Sequence, residues 1–250
     1  MQNSITESAS ETGKALVRAN LEILNRSRNV NPLLVSLLQP ESIEAESYLN
    51  LRHSLEKLRG ANESIVVAMT SPVQGEGKTM TSINLAGSLA RNSGNKVLLI
   101  DLDLRQVKHD ILTYLGVNGL SERGVVDNIY NSDSNWERAS CYINEFNLYI
   151  MPAGRHSSSP YEVLNSQLLG ELIDNARQYF QYVIIDTPPI LALPDSHLIS
   201  KWIDGFMVLV TSGITTKKML AEALDVMEPE KVLGMVFNRN PVARSGYTLY

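Results

Sequence analysis

The chain has 250 residues, with 22 basic against 27 acidic side chains and a formal net charge of −5 at pH 7. This length suits one α/β domain with a sizeable core, and the acidic balance excludes a general electrostatic attraction to nucleic acid. The single cysteine, Cys141, favours the cytoplasm as the compartment, and no apolar run reaches the roughly 18 residues that span a bilayer.

The first 41 residues are polar and uneven, and they predict an N-terminal extension that is partly helical and mobile. Within it a helix is predicted over residues 14–26, and a turn at Asn31-Pro32 would follow. A second helix is predicted over residues 42–59, because apolar residues recur at helical spacing and Gly60 supplies a stop. Its apolar stripe consists of Tyr48, Leu51, Leu55 and Leu58.

From residue 63 onward, apolar strand-like runs alternate with helical patterns. Several runs are too uniformly apolar to have a solvated face, which is typical of a parallel sheet covered on both sides. The predicted strands span 64–70, 97–102, 147–152, 182–187, 206–211 and 232–237, and the predicted crossover helices span 79–92, 161–179, 195–202 and 216–227. The predicted fold class is α/β, a mainly parallel twisted sheet with helices on both faces. The predicted domains are 1–41, 42–240 and a flexible tail at 241–250.

A phosphate-binding loop is predicted directly after the first strand. Residues 71–79 read Ser-Pro-Val-Gln-Gly-Glu-Gly-Lys-Thr, in which Lys78 neutralises phosphate charge and the Thr79 hydroxyl coordinates magnesium. The usual pattern starts with a glycine where this chain has Pro72, so a chance match in a surface turn is the alternative. The flanking strand and helix favour nucleotide binding. The candidate cofactor-binding residues here are Gly75, Glu76, Gly77, Lys78, Thr79 and Met80.

Aspartates follow two of the other predicted strands. Asp101 and Asp103 are spaced by two, so both carboxylates project to one side at the carboxyl end, where ligands of open α/β sheets bind. Asp186 ends a run of four apolar residues, and an ionised carboxylate there is costly unless paired or metal-bound. A magnesium ion held by Thr79 and screened by Asp186 would offset that cost. The alternatives are capping or loop aspartates without a ligand.

Together, residues 75–79, 101–105 and 186–189 resemble the three nucleotide motifs of the bacterial tyrosine kinases of capsule and exopolysaccharide synthesis. The likeness covers residues 42–240 and includes segments 147–154, 159–164 and 234–239. These kinases share their P-loop fold with plasmid-partition and septum-site ATPases, whose loop carries an additional lysine. This chain has Val73 at that position, which favours the kinase branch.

The resemblance implies a role for each motif residue. Asp101 would be the base that orients the tyrosine hydroxyl, and Asp103 and Asp186 would organise magnesium and its waters. Lys78 would stabilise the β and γ phosphates. Asn238, followed by Arg239, would read the adenine edge, although an asparagine in a turn is the other interpretation. The implied cofactors are ATP and Mg²⁺.

The resemblance also implies assembly, and the chain departs from the family there. Members carry a Glu-x-x-Arg-x-x-Arg ridge that builds rings, and this chain has Glu46, Leu49 and Arg52. Leucine cannot replace the bidentate hydrogen bonding of arginine, so ring assembly would be altered, and an ordinary solvated helix face is the alternative. The family's C-terminal tyrosine cluster is reduced here to two candidate phosphoacceptors, Tyr247 and Tyr250. An unphosphorylated, frayed end of the chain is the alternative.

The first hypothesis is therefore an ATP-dependent protein-tyrosine kinase that autophosphorylates in trans and regulates a surface polysaccharide. Its implied partner is a membrane-embedded co-polymerase or chain-length protein, which would recruit this cytoplasmic chain to the inner face of the membrane. A nucleotide-switched ATPase without kinase activity is the second hypothesis, motivated by Leu49 and the reduced tail. A degenerate nucleotide-binding scaffold is the third.

Overall fold

The computed structural model describes residues 29–60, 63–105, 110–117, 123–192 and 195–239. Its centre is a seven-stranded sheet in the order β3-β4-β2-β5-β1-β6-β7. All neighbouring strands are parallel except β3 and β4. The strands are β1 Ile65–Thr70, β2 Val97–Asp101, β3 Cys141–Ile143, β4 Leu148–Met151, β5 Tyr182–Asp186, β6 Gly205–Thr211 and β7 Val232–Asn238.

Helices cover both faces of this sheet. They are α1 Val35–Leu38, α2 Ile43–Arg59, α3 Lys78–Ala90, α4 Ile111–Tyr114, α5 Val125–Tyr130, α6 Trp136–Ala139, α7 Pro160–Asn165, α8 Gln167–Arg177, α9 Asp195–Ser200 and α10 Lys217–Asp225. Two 3₁₀ turns lie at Asn144–Phe146 and Pro229–Lys231. No helix in the described part of the chain is long and apolar enough to cross a membrane.

Alternation along the central strands explains why both faces are covered. In β1, Val66 and Ala68 belong to one apolar cluster, while Val67 and Met69 belong to the other. Every residue of β1, β2 and β5 is buried, because successive side chains point to opposite faces and each face carries helices. The prediction of a mainly parallel α/β sheet is confirmed.

The structure departs from the predicted elements at α7 and α8 and at β3. The helix predicted over 161–179 is wrong as one element, since α7 and α8 are separated at Ser166, whose backbone is extended. The Ser166 hydroxyl accepts a hydrogen bond from Leu168 N at 3.2 Å and so caps the start of α8. Strand β3 was not predicted, and it is only three residues long. It pairs antiparallel with β4 and forms one edge of the sheet.

The described residues ahead of α2 lie against the core. Leu34 is fully buried, and Asn84 of α3 accepts a hydrogen bond from Ser36 N at 2.9 Å and donates to Leu33 O at 3.1 Å. The predicted turn at Asn31-Pro32 is present. The helix predicted over residues 14–26 lies outside the described residues, and the predicted domain boundaries stay a prediction.

Helix α2 packs on α3 through part of its predicted stripe. Leu55 is fully buried, whereas Leu58 is exposed, so the predicted stripe is one residue too long. Ser42 begins the helix, because its hydroxyl accepts a hydrogen bond from Ala45 N at 3.2 Å. Gly60 ends it with a φ of 56°, a conformation that favours glycine.

Candidate functional site

The loop between β1 and α3 has the backbone of an anion-binding site. Gly75 and Gly77 have φ angles of 84° and 91°, which favour glycine. A Cβ on Gly77 would also lie 2.7 Å from Asn238 Nδ2, so a side chain is excluded there on both grounds. The first N–H groups of α3 have no partner within the helix and face the end of the loop, where a phosphate would gain several hydrogen bonds.

Three side chains fasten the apex of this loop, two at the ends of β6 and β7 and one in the segment that follows β6. The backbone oxygen of Glu76 accepts hydrogen bonds from Thr211 Oγ1 and from Asn238 Nδ2, both at 2.8 Å. The fully buried Glu76 carboxylate accepts a hydrogen bond from the Thr215 hydroxyl. The Glu76 side chain is therefore turned into the protein, and only its backbone remains for a nucleotide.

The predicted aspartates meet at the carboxyl edge of the two central strands. Asp101 and Asp186 are register partners across β2 and β5, so the two carboxylates start from adjacent positions. Thr79 Oγ1 donates to Asp186 Oδ2 at 2.6 Å, and Ser82 Oγ donates to Asp186 Oδ1 at 3.1 Å. Folding thus joins residue 79 of the loop directly to a residue more than a hundred positions away.

Asp101 is held by backbone groups on both sides. Its Oδ1 accepts a hydrogen bond from Asp103 N at 3.1 Å, and its Oδ2 accepts one from Ile111 N at 3.3 Å. Both Asp101 and Asp103 are buried. These two backbone hydrogen bonds fix the orientation of the Asp101 carboxylate.

Burial sets the protonation behaviour of this cluster. Burial, and then the charge of Asp186, raise the pKa of Asp101 well above its usual value. Burial likewise raises the pKa of Asp186 to about 6, although hydrogen bonds from Thr79 and Ser82 and the charge of Lys78 act in the opposite direction. Burial lowers the pKa of Lys78, against the charges of Asp186, Asp103 and Glu76. Negative charge is therefore in excess at this edge.

Excess buried carboxylates suit a divalent cation that arrives with phosphates. Within the residues that the structure describes, no group of three His, Cys, Asp or Glu side chains is arranged to hold a metal by itself. Magnesium at a nucleotide site uses one or two protein ligands and keeps phosphate oxygens and waters as the others. The Thr79 hydroxyl beside Asp186, with Asp103 nearby in the next loop, fits that requirement.

An ion pair joins the two loops that carry these aspartates. Arg105 Nε lies 2.9 Å from Asp195 Oδ2, and Arg105 Nη2 lies 3.1 Å from Asp195 Oδ1. Asp195 is 1% exposed, and Asp103 adds to the negative charge around Arg105. The bidentate pair therefore connects the loop after β2 to the start of α9. Neither Arg105 nor Asp195 was predicted as a site residue, although Arg105 lies within the second motif.

We expect Arg105→Ala to lower the free energy of unfolding by about 3 kcal/mol, because it leaves the buried Asp195 carboxylate without its partner. Urea unfolding would measure this. The double variant Arg105→Ala/Asp195→Asn should be more stable than Arg105→Ala alone, since no buried charge is left unpaired. Arg91→Ala is the matched control, because its partner Glu41 is 87% exposed and such pairs contribute about 0–1 kcal/mol. Equal losses for Arg105→Ala and Arg91→Ala would contradict the expectation.

The remaining predicted site residues lie in the helix after the loop, at the end of β7, on α2 and in the C-terminal tail. Met80 packs partly buried in the first turn of α3. Asn238 contacts the loop apex, and Arg239 follows it with a φ of 53°. On α2, Glu46 is exposed, whereas Arg52 donates to Glu56 Oε1 at 2.7 Å and to Ser88 O at 3.1 Å. Tyr247 and Tyr250 lie outside the described residues.

Comparison with known proteins agrees with this arrangement. A family model described as an AAA domain matches residues 64–201, which contain the loop, Asp101 and Asp186. Tyrosine-protein kinase YwqD of Bacillus subtilis is 31% identical over 230 residues, or 90% of this chain and 94% of YwqD. The chain belongs to the family of bacterial tyrosine-protein kinases. The resemblance that the three motifs suggested is confirmed.

Two further matches are to part of a longer protein and to a solved structure. The succinoglycan biosynthesis transport protein ExoP of Rhizobium meliloti is 30% identical over 215 residues, which cover 83% of this chain and 26% of ExoP. The kinase domain of the Escherichia coli tyrosine kinase ETK superimposes with a TM-score of 0.77 at 24% identity, covering 90% of this chain and 86% of that domain. The second match supports the fold.

Proposed function

We propose that this chain is a protein-tyrosine kinase that transfers phosphate from ATP to tyrosines of other copies of itself. The observation that carries the proposal is the convergence of Lys78, Asp101 and Asp186 at one sheet edge, beside an anion-binding loop. ATP with Mg²⁺ supplies the transferable phosphoryl group and part of the charge neutralisation. The chain supplies position, charge and a proton acceptor.

Each residue has a task that its surroundings suit. Lys78 is buried, so it presents a fixed positive charge to the phosphates in a site where little water screens it. Asp101, whose pKa is raised by burial, is in its ionised form a stronger base than an ordinary aspartate and would accept the phenolic proton of the acceptor tyrosine. Thr79, Asp103 and Asp186 would hold the magnesium ion and its waters, and Asn238 would read the adenine.

We further propose that this activity regulates polymerisation or export of a surface polysaccharide. ExoP, which contains a region similar to this chain, is named for succinoglycan biosynthesis and transport. The chain would meet a membrane-embedded co-polymerase at the inner face of the membrane, where the partner would recruit and activate it. Pull-down with such a co-polymerase would test this, and kinase activity that is the same with and without the co-polymerase would count against activation.

Assembly of several copies is part of the same proposal, because phosphorylation in trans requires two. Glu46 and Leu49 are exposed on one side of α2, and Arg52 is bonded within its own chain. Contact through this helix would therefore depend more on Leu49 and less on ion pairs than in relatives with the full ridge. A monomeric mass by light scattering at every concentration, with ATP present, would remove the proposal of a homo-oligomer.

Incubation with ATP and Mg²⁺ tests the kinase proposal directly. We expect phosphotyrosine, detected by mass spectrometry, and we expect the double variant Tyr247→Phe/Tyr250→Phe to lose the part carried by the tail. A matched Thr248→Ala variant controls for changes to the tail itself. Phosphate release without phosphotyrosine, even with a co-polymerase present, would favour the nucleotide-switched ATPase instead. Absence of both hydrolysis and transfer would favour the scaffold.

A further inference from the structure

One tyrosine of the folded domain stands apart from the others. The chain has ten tyrosines, and all but Tyr247 and Tyr250 lie in the described residues. Tyr161 is 51% exposed, and within the described residues no hydrogen bond, ion pair or ring contact involves its side chain. Its phenol is thus freely available to a second molecule.

The other described tyrosines are engaged. Tyr130, which is 42% exposed, shares a hydrogen bond of 2.9 Å with Ser157 Oγ and lies beneath the Arg155 guanidinium. Tyr182 is buried and accepts a hydrogen bond from Arg59. Partners also hold Tyr48, Tyr114, Tyr142, Tyr149 and Tyr179. Phosphorylating the hydroxyl of Tyr130 or Tyr182 would first break a hydrogen bond, whereas phosphorylating Tyr161 would not.

The position of Tyr161 places it on the side of the molecule that carries the phosphoryl-transfer residues. Helix α7 follows β4, whose carboxyl end shares the sheet edge with Asp101. It packs on α9, and Lys201 Nζ, just after α9, donates to Asn165 Oδ1 at 3.1 Å. Helix α9 begins at Asp195, the partner of Arg105. Helix α9 therefore lies between the helix that carries Tyr161 and the loop that carries Asp103 and Arg105.

The anchoring of α7 decides which copy could modify Tyr161. Val163 and Leu164 of α7 are fully buried, so the helix is fixed to the core while Tyr161 faces solvent. A side chain on such a helix cannot swing into its own catalytic site without detaching α7. A second copy can bring the carboxyl edge of its own sheet, which carries its catalytic site, to Tyr161 without any movement of α7.

We propose that Tyr161 is a phosphoacceptor of this chain and is phosphorylated by a second copy. This inference rests on the proposed kinase function. The phenolic oxygen of Tyr161 forms a bond to the γ phosphorus of ATP, and the bond from that phosphorus to the β–γ bridging oxygen breaks. ADP leaves, and the phenolic proton passes to Asp101 of the copy that supplies the site. Phosphorylation then adds about −1.5 to −2 charges beside Glu162.

A mixing experiment tests this. The acceptor chain carries Lys78→Met, Tyr247→Phe and Tyr250→Phe and a mass label, so that it cannot phosphorylate itself or use its tail. The donor is the unlabelled wild-type chain with ATP and Mg²⁺, and a tyrosine-containing copolymer is added as an independent substrate. We expect phosphate on Tyr161 of the labelled acceptor, and its loss when the acceptor also carries Tyr161→Phe.

The matched control is Tyr130→Phe in the same acceptor, which should leave the Tyr161 phosphopeptide unchanged. If the copolymer is phosphorylated while Tyr161 stays unmodified, the inference about Tyr161 fails and the kinase function stands. If neither is phosphorylated, both fail. If Tyr161 is phosphorylated only in chains that retain their own Lys78, transfer between copies is overturned.

Discussion

Replacing Lys78 by methionine is expected to lower the rate of ATP-dependent phosphotyrosine formation by about 100- to 1000-fold, the usual cost of removing one fixed electrostatic contact to a transition state. Lys78 is the buried cation of a cluster that contains Asp186, Asp103 and Glu76. Methionine keeps the length of the side chain but leaves the carboxylates of Asp186 and Asp103 beside the phosphates without compensation. Radiolabelled phosphate transfer, followed over time, measures the loss.

Lys218→Met is the matched control, because Lys218 is exposed and pairs only loosely with Glu222, at 3.7 Å. Its rate should equal that of the wild type. Circular dichroism of both variants would show whether the fold is retained. If Lys78→Met transfers phosphate at more than about a tenth of the wild-type rate, Lys78 is not a cation that stabilises the transition state.

The sequence predicts which residues meet at the carboxyl edge of β2 and β5, because each of them lies at the end or the start of an element that is easy to identify. Asp101 and Asp186 end uniformly apolar runs, and the carboxyl ends of parallel strands share one edge of a sheet. Lys78 and Thr79 come from a motif whose glycines have the backbone angles that the motif requires. Local pattern therefore determines which residues approach the site.

Contacts between distant segments were not predicted. Arg105 and Asp195 are 90 positions apart, and their pairing depends on how two loops turn after leaving the sheet. The inward orientation of Glu76 depends on Thr211 and Thr215 in the same way. A partial signal existed for the break at Ser166, since serine before a new apolar repeat is typical of a helix start. Strand β3 is too short for a period of two to be recognised.

Asp186→Asn is expected to make the ligand-free protein more stable and phosphoryl transfer much slower. Burial raises the pKa of Asp186 from 3.8 to about 6, so keeping it ionised in the folded state costs up to about 3 kcal/mol at neutral pH. Asparagine removes that cost, and its partners Thr79 and Ser82 are hydroxyls that can each donate or accept. We expect the melting temperature to rise by about 5 °C, while magnesium-dependent transfer falls by about 100-fold.

The gain in stability should depend on pH with a definite sign. The folded state binds the proton of Asp186 more tightly than the unfolded state, so the penalty is absent below pH 3.8, grows as the pH rises, and is complete above about 6. The difference in melting temperature between Asp186→Asn and the wild type should therefore be small near pH 4 and constant above pH 7. Asp174→Asn, at an exposed position, should show no such trend. A difference in melting temperature that does not change with pH would contradict the raised pKa of Asp186. ATP with Mg²⁺ should stabilise the wild type more than Asp186→Asn, because only the wild type retains the carboxylate beside the metal.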